Sequence, residues 1–317
     1  MINDKKILIR KPFNEQYTIT ITSELNGVDV FVSSVVQLRY DFTVISVNES
    51  NIEVRLVQLD NILLEANNPM VREVAQVSQI FGRMYNELHL LLDHAGNVIN
   101  VLNNNLILSK WKQTKTEMEK HVLSNEDLKH AIMLNDNIFN NPEKILIAAQ
   151  ANEFLRIYFG QAFDRDVPSK ASLKGTNIFN TIELQWNTDL TCSVELPVTD
   201  SVGPITLSTL TKPSERLTKK FNKEAYNQFA DKLDINSLTV DLYQKETRVI
   251  DYPTGKIQEA EVEKIEIADV KRLYNKLHYK LSSDTGIVIK QKGQENSAHL
   301  VTDSQENAES NTRFKFF

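Results

Sequence analysis

The stretch "YTITITSEL" (17–25) places hydroxyl and apolar side chains at alternating positions, and this period restricts the fold more than any other feature. Successive side chains of an extended chain point to opposite faces, so the segment reads as a strand with one wet and one apolar face. Comparable strand patterns recur in "KILIR" (6–10), "VDVFVSSVVQLRYDFTVISV" (28–47), "NIEVRLVQL" (51–59), "TIELQWN" (181–187), "LTCSVEL" (190–196), "PITLSTL" (204–210), "SLTVDLY" (237–243), "TRVID" (247–251) and "KIQEAEVEKIEI" (256–267). Polar turn formers separate several of them. Asn26–Gly27 and the "NESN" of 48–51 read as hairpin turns, as does Thr188–Asp189.

One corner occurs twice. "LDHAGNVINVL" (92–102) and "VIDYPTGKIQEAEVEKIEI" (249–267) each carry an Asp, a turn glycine and a second strand. Asp93 and Asp251 stand where a turn takes a short side-chain acceptor, and Gly96 and Gly255 where the backbone needs positive φ. The loops differ in length by one residue, which hairpins tolerate better than a shared ligand site would. "DHAGN" offers one carboxylate, too few for a calcium loop. These corners are read as architecture.

Helical spacing appears in five places. Asn68–Pro69 opens an amphipathic helix through Phe81, with Gly82 at its end; "NLILSKWKQTKTEMEKHVL" (105–123) begins as strand and turns helical. "SNEDLKHAIML" starts on a capping box, Ser124 to Asp127, and "NPEKILIAAQANEFLRIYFG" (141–160) reads as one long helix. In "KPSERLTKKFNKEAYNQFADKL" (212–233), Ser214 is the expected cap and Leu217, Phe221, Tyr226 and Phe229 form the stripe.

The expected fold class is therefore α+β. Two similar halves (1–104 and 177–289), each a curved antiparallel β-sheet packed on helices, flank a central helical region (105–165) and a linker (166–176). A flexible tail (290–317), polar until its aromatic end, is expected to be disordered. Long alternating strands followed by a helix and a meander resemble the half-barrel sheets of bacterial lipoprotein-carrier-like domains, and the strand–Asp–Gly–strand corners resemble those of bacterial lipoprotein-type domains. The resemblance implies a curved sheet and transfers no functional residue; the chain shows no lipidation cysteine.

Composition narrows the chemistry. A net charge of −6 argues against a general nucleic-acid binder. The single cysteine, Cys192, excludes an intramolecular disulfide and reads as a small buried strand residue. No secretory leader or membrane-spanning run is read, so the expected location is cytoplasmic, or periplasmic if a native leader has been removed. None of the nine glycines forms a phosphate-binding loop, and neither a nucleophile elbow nor a zinc helix occurs. No cofactor or metal is expected. The histidines, His89, His94, His121, His130, His278 and His299, lack the spacing of ligands on one helix face. Lys110, Lys112, Lys115 and Lys120 around Trp111 are diluted by Glu117 and Glu119, and read as a solvated helix face.

Two surface features remain. Glu259, Glu261 and Glu263 share one face of their strand, either as the charged face of an edge strand or as an acidic ridge for a basic protein partner. Phe314, Phe316 and Phe317 end the tail and are candidates to dock by strand addition. The main functional reading is a non-catalytic, bacterial-type protein-binding module (immunity, adaptor or assembly component), not an enzyme. The alternatives are a carrier of an apolar small molecule or lipid in a curved sheet, and a hydrolase-like enzyme with a scattered His94/His121/Asp93 site joined by His130.

Overall fold

The computed structural model describes residues 5–119, 126–197 and 203–285. Its strands are β1 (Phe13–Gly27), β2 (Phe31–Val47), β3 (Ile52–Ala66), β4 (Glu87–Leu92), β5 (Val98–Val101), β6 (Ser169–Thr176), β7 (Glu183–Cys192), β8 (Ile205–Pro213), β9 (Asp241–Asp251), β10 (Lys256–Asp269) and β11 (Leu273–Ser283). The helices are α1 (Pro69–Gly82), α2 (Asn104–Glu119), α3 (Glu126–Phe139), α4 (Pro142–Gln150), α5 (Glu153–Phe159) and α6 (Lys219–Tyr226).

All eleven strands belong to one antiparallel sheet, ordered β5-β4-β3-β2-β1-β11-β10-β9-β8-β7-β6. This overturns the division into two halves with separate sheets. Each half is indeed a meander, but β1 pairs with β11 from Tyr17↔Ser283 to Gly27↔Leu273, so the first and last strands form the middle of the sheet. Local alternation specifies that a segment is a strand and says nothing about which distant strand it meets. The edges, β5 and β6, do not pair with each other.

Other expectations are corrected for local reasons. The linker of 166–176 is mostly β6, an edge strand whose Lys170 and Lys174 blunt it against further pairing. The hairpin at Thr188–Asp189 is continuous β7: Trp186, Thr188 and Leu190 keep the inward period, and the Thr188 and Thr211 hydroxyls meet at 2.9 Å. The helix of 141–160 is two helices, because Asn152 accepts from Phe154 N–H and caps α5 afresh. Residues 105 onward are helical from the start, and "KILIR" makes only isolated bridges, Ile7 with Phe163 and Lys6 with Asp166. Ser214 caps nothing; its N–H extends the sheet by bonding the Gln185 carbonyl, and α6 begins at Lys219, with Thr218 at the N-cap position. Ser124 lies outside the described residues.

The repeated corners are turns. Asp93 accepts from Asn97 N–H at 2.8 Å, and Asp251 accepts from the Thr254 hydroxyl. Gly96 and Gly255 have φ of 88° and 75°. A Cβ at Gly255 would lie 1.9 Å from the Leu8 carbonyl oxygen, which explains the glycine by close approach as well as by φ.

One face of the sheet, here called inner, carries both apolar clusters. The larger packs α2–α5 on β1–β4 and the neighbouring strands, with Tyr17, Phe42, Phe154 and Tyr158 among its buried rings. The smaller packs α6 against Trp186, Leu242 and Leu273. Trp186 and Leu190, four residues apart on β7, sit in different clusters on the same face. The outer face of β1 carries Thr18, Thr20 and Thr22, the hydroxyls of the opening motif.

Because one ladder unites both clusters, they should unfold together. The two tryptophans, Trp111 and Trp186, report one cluster each. In variants retaining only one of them, fluorescence and circular dichroism melts should coincide. Leu281→Ala, in the closing strand, should lower both transitions equally, by about 2–5 kcal/mol; two separated transitions would contradict the single sheet.

Candidate functional site

Strand parity puts charge where a covered sheet face is ordinarily apolar. The inner positions of β9 are Leu242, Gln244, Glu246, Arg248 and Ile250, and those of β10 include Ala260, Val262, Lys264, Glu266 and Ala268. A polar band thus separates the two apolar clusters.

Arg248 organises one side of this band. Its side chain is 1% exposed, and Nη1 donates to Glu246 Oε2 at 2.6 Å. Nη2 donates to the Ile157 carbonyl at 2.9 Å and Nε to that of Tyr158 at 3.2 Å. These carbonyls belong to the last turn of α5, which lack helical donors and favour a cation. Gly160 follows with φ 52°, and a Cβ there would fall 2.0 Å from Arg248 Nη2. The guanidinium therefore ties the helix to the sheet and neutralises Glu246.

Glu266, fully buried, is satisfied differently. It accepts from Tyr226 Oη at 2.5 Å, Asn177 Nδ2 at 2.8 Å and Phe179 N–H at 2.9 Å. Burial, then the Glu266 charge, pushes the Tyr226 hydroxyl far above its ordinary pKa. This cluster holds the β6–β7 loop and α6 to the sheet.

Between these anchors, α5, the 93–97 turn and strands β9–β11 enclose a cavity of about 230 Å³, lined in part by Glu153, Arg156, Gln244, Glu246, Lys264 and Tyr279. Arg156 stands 3.8 Å from Glu153. The Lys264 ammonium lies 5.7 Å from the centre of the Tyr279 ring. Burial, and then repulsion from Arg156, lowers the Lys264 pKa, with Glu153 and Glu246 opposing. Burial, and secondarily the Glu153 charge, pushes Tyr279 up to about 12.

The register carries this charged cavity into an apolar floor. One row across the sheet runs Glu246, Val262, Tyr279, Ile21, Val36, Leu63; the next runs Gln244, Lys264, Leu277, Ser23, Ser34, Ala66. A third ends Asn275, Leu25, Val32. From Ile21 outward these positions are only half-buried, unlike Tyr17, Ile19, Leu38 and Tyr40 beneath α5. Ser23, Ser34 and Ala66 are small side chains in this part of the face.

The residues singled out from sequence lie elsewhere. Glu259, Glu261 and Glu263 are on the outer face, and β10 is an interior strand, so the edge-strand explanation of their charge is overturned. Glu261 lies opposite Lys280 and 2.7 Å from His278, and Glu263 opposite Lys245. Phe314, Phe316, Phe317, His121 and His299 lie outside the described residues. His94 contacts the Asn48 and Glu49 carbonyls at 3.1 Å, His89 contacts Glu53 at 2.6 Å, and His130 is exposed on α3. Cys192 ends β7, half-buried. Trp111 stacks on Phe139 and donates to Asp136, so its face is taken by the core. Among the described residues no group of His, Cys, Asp or Glu could hold a metal, and no helix is long and apolar enough to cross a membrane.

Sequence reading missed Lys264, Glu246, Arg248, Glu153 and Arg156. Part of the signal was present: Lys264 and Glu266 continue the phase of Ala260 and Val262, and Glu246 and Arg248 that of Leu242 and Ile250.

No family model matches the sequence, and no curated protein matches it. A solved chain described by the words "lipid-protein interactions in lipovitellin" is similar over 86% of this chain at 10% identity, with a TM-score of 0.38. The match spans about a quarter, 25%, of that chain's length.

Two outcomes follow from the charged band. Arg248→Met strands the Glu246 charge and the α5 carbonyls and should cost about 3–5 kcal/mol in denaturant unfolding, partly recovered by adding Glu246→Gln. Lys264→Met should do the opposite. A lysine whose folded pKa is depressed binds its proton less well folded than unfolded, so it costs stability at neutral pH. That cost disappears as pH rises toward the unfolded value of 10.5. The variant should melt higher at pH 7, with the gap closing by about pH 10.5; a gap independent of pH would contradict the assignment.

Proposed function

We propose that this chain is a non-catalytic carrier of a small amphiphilic molecule, held with its apolar part along the half-buried inner face and its polar end in the charged cavity. The observation that carries this reading is the continuity of the rows: Ile21, Leu25, Val32, Val36, Leu63 and Leu277 form a half-buried floor that runs directly into Lys264 and Tyr279. Binding sites of this kind join apolar walls to a few convergent polar groups.

The far end of the floor supports the same reading. Val30, Leu64, Met70 and Val74 are 50–68% exposed there. They lie on the β1–β2 turn, the end of β3 and the start of α1, which Asn67 links by accepting from Ser33 N–H and donating to the Phe31 carbonyl. An exposed apolar rim of this kind suits transfer of an apolar ligand. The inner face beneath α5 is not part of the site, because Phe154, Tyr158, Phe159 and Phe163 fill it.

The neutral fluorescent probe N-phenyl-1-naphthylamine tests the apolar floor without involving charge. The chain should bind it, and Leu25→Asp should weaken binding roughly tenfold or more, since burying a leucine is worth about 1.5–3 kcal/mol. Ile45→Asp, at an exposed position on the outer face, should leave binding unchanged. Equal loss in both variants, or no binding by the parent chain, would refute the carrier reading.

A further inference from the structure

We infer that the ligand's polar end is a single monoanionic group, a carboxylate, and that Lys264 is its counter-ion. This rests on the carrier reading and adds to it the chemical class of the ligand. Glu246 is neutralised by Arg248 at 2.6 Å, and Glu153 stands against Arg156 at 3.8 Å. Lys264 is the remaining charge in the lining, and among the described residues it has no carboxylate within 4.0 Å; its contact is the Tyr279 ring at 5.7 Å.

The cavity therefore carries one uncompensated positive charge, withdrawn from water by the sheet floor and α5. An unpaired ammonium in such a place is costly, and an anion brought by the ligand relieves that cost at the point of binding. One negative charge balances the site, whereas a dianion would leave it negative beside Glu153 and Glu246. Gln244, the register partner of Lys264 on β9, and Gln161 add neutral amide groups to the lining. Leu277, the partner of Lys264 on β11, leads to Ser23 and Ser34, so a chain attached to the carboxylate lies over that row.

The test uses the full chain and two matched pairs, decanoate with decanol and palmitate with hexadecanol, measured by calorimetry below their micellar concentrations. The parent protein should bind each acid about tenfold or more tightly than its alcohol, the scale of a charge-assisted hydrogen bond. Lys264→Met, which keeps the stem and should fold with raised stability, should lose that preference and still bind the alcohols. Equal binding of acid and alcohol by the parent, a preference that survives Lys264→Met, or tighter binding of decyl phosphate than of decanoate would each overturn the inference while leaving the carrier reading intact. Failure to bind any of these compounds together with N-phenyl-1-naphthylamine would remove the carrier reading itself.

Discussion

The pairing of β1 with β11 is the constraint on which the rest of the molecule depends. It joins the beginning of the chain to its described end over eleven register pairs, and it turns two meanders into one sheet. Without that ladder the inner face would be two faces, and each row described above would stop at β1 or at β11. With it, a lysine on β10 and a leucine on β3 address the same space. Contacts so distant in sequence carry a large loop-closure cost, offset here by burial of Tyr17, Ile19 and Leu281 beneath the helices.

The helices finish what the ladder begins, but only in part. α5 presses Phe154, Tyr158 and Phe159 onto one end of the face, and Arg248 holds its last turn in place from below. α6 covers another portion, anchored by Tyr226 on the buried Glu266. The floor from Ile21 to Leu63 is left only half-buried, and the charged band lies between the two helices. Glu246, Arg248 and Glu266 all find partners at close range, as buried charges must. Lys264 is the exception, and its position at the boundary between band and floor makes that exception chemically meaningful. Groups that cost stability in place are a frequent mark of a site shaped for binding.

Much of the local architecture was legible in advance. Asn68, Gly82, Gly96 and Gly255 stand at the ends and corners that their side chains, or the lack of one, imply. Errors fell where a local cue competed with a long-range one. Ser, Lys and Gly in 169–176 resemble a linker, yet β7 recruits them as an edge strand. Asn152 looks like one polar residue on a helix until the backbone turns there to lay α5 across the sheet. Glu259, Glu261 and Glu263 look like an edge because their charges are visible in sequence, while the answering Lys245, His278 and Lys280 lie on other strands.

What the sequence determined by itself is the alternation of faces: which side chains of each strand point the same way, where turns fall, and that Lys264 and Glu266 share a side with Ala260 and Val262. That is so because side-chain direction follows from the covalent period of an extended chain. Only the tertiary structure decided which strands are neighbours, which part of the inner face the helices cover, and therefore which charges are matched. Those outcomes depend on packing between segments hundreds of residues apart, and no local pattern encodes them.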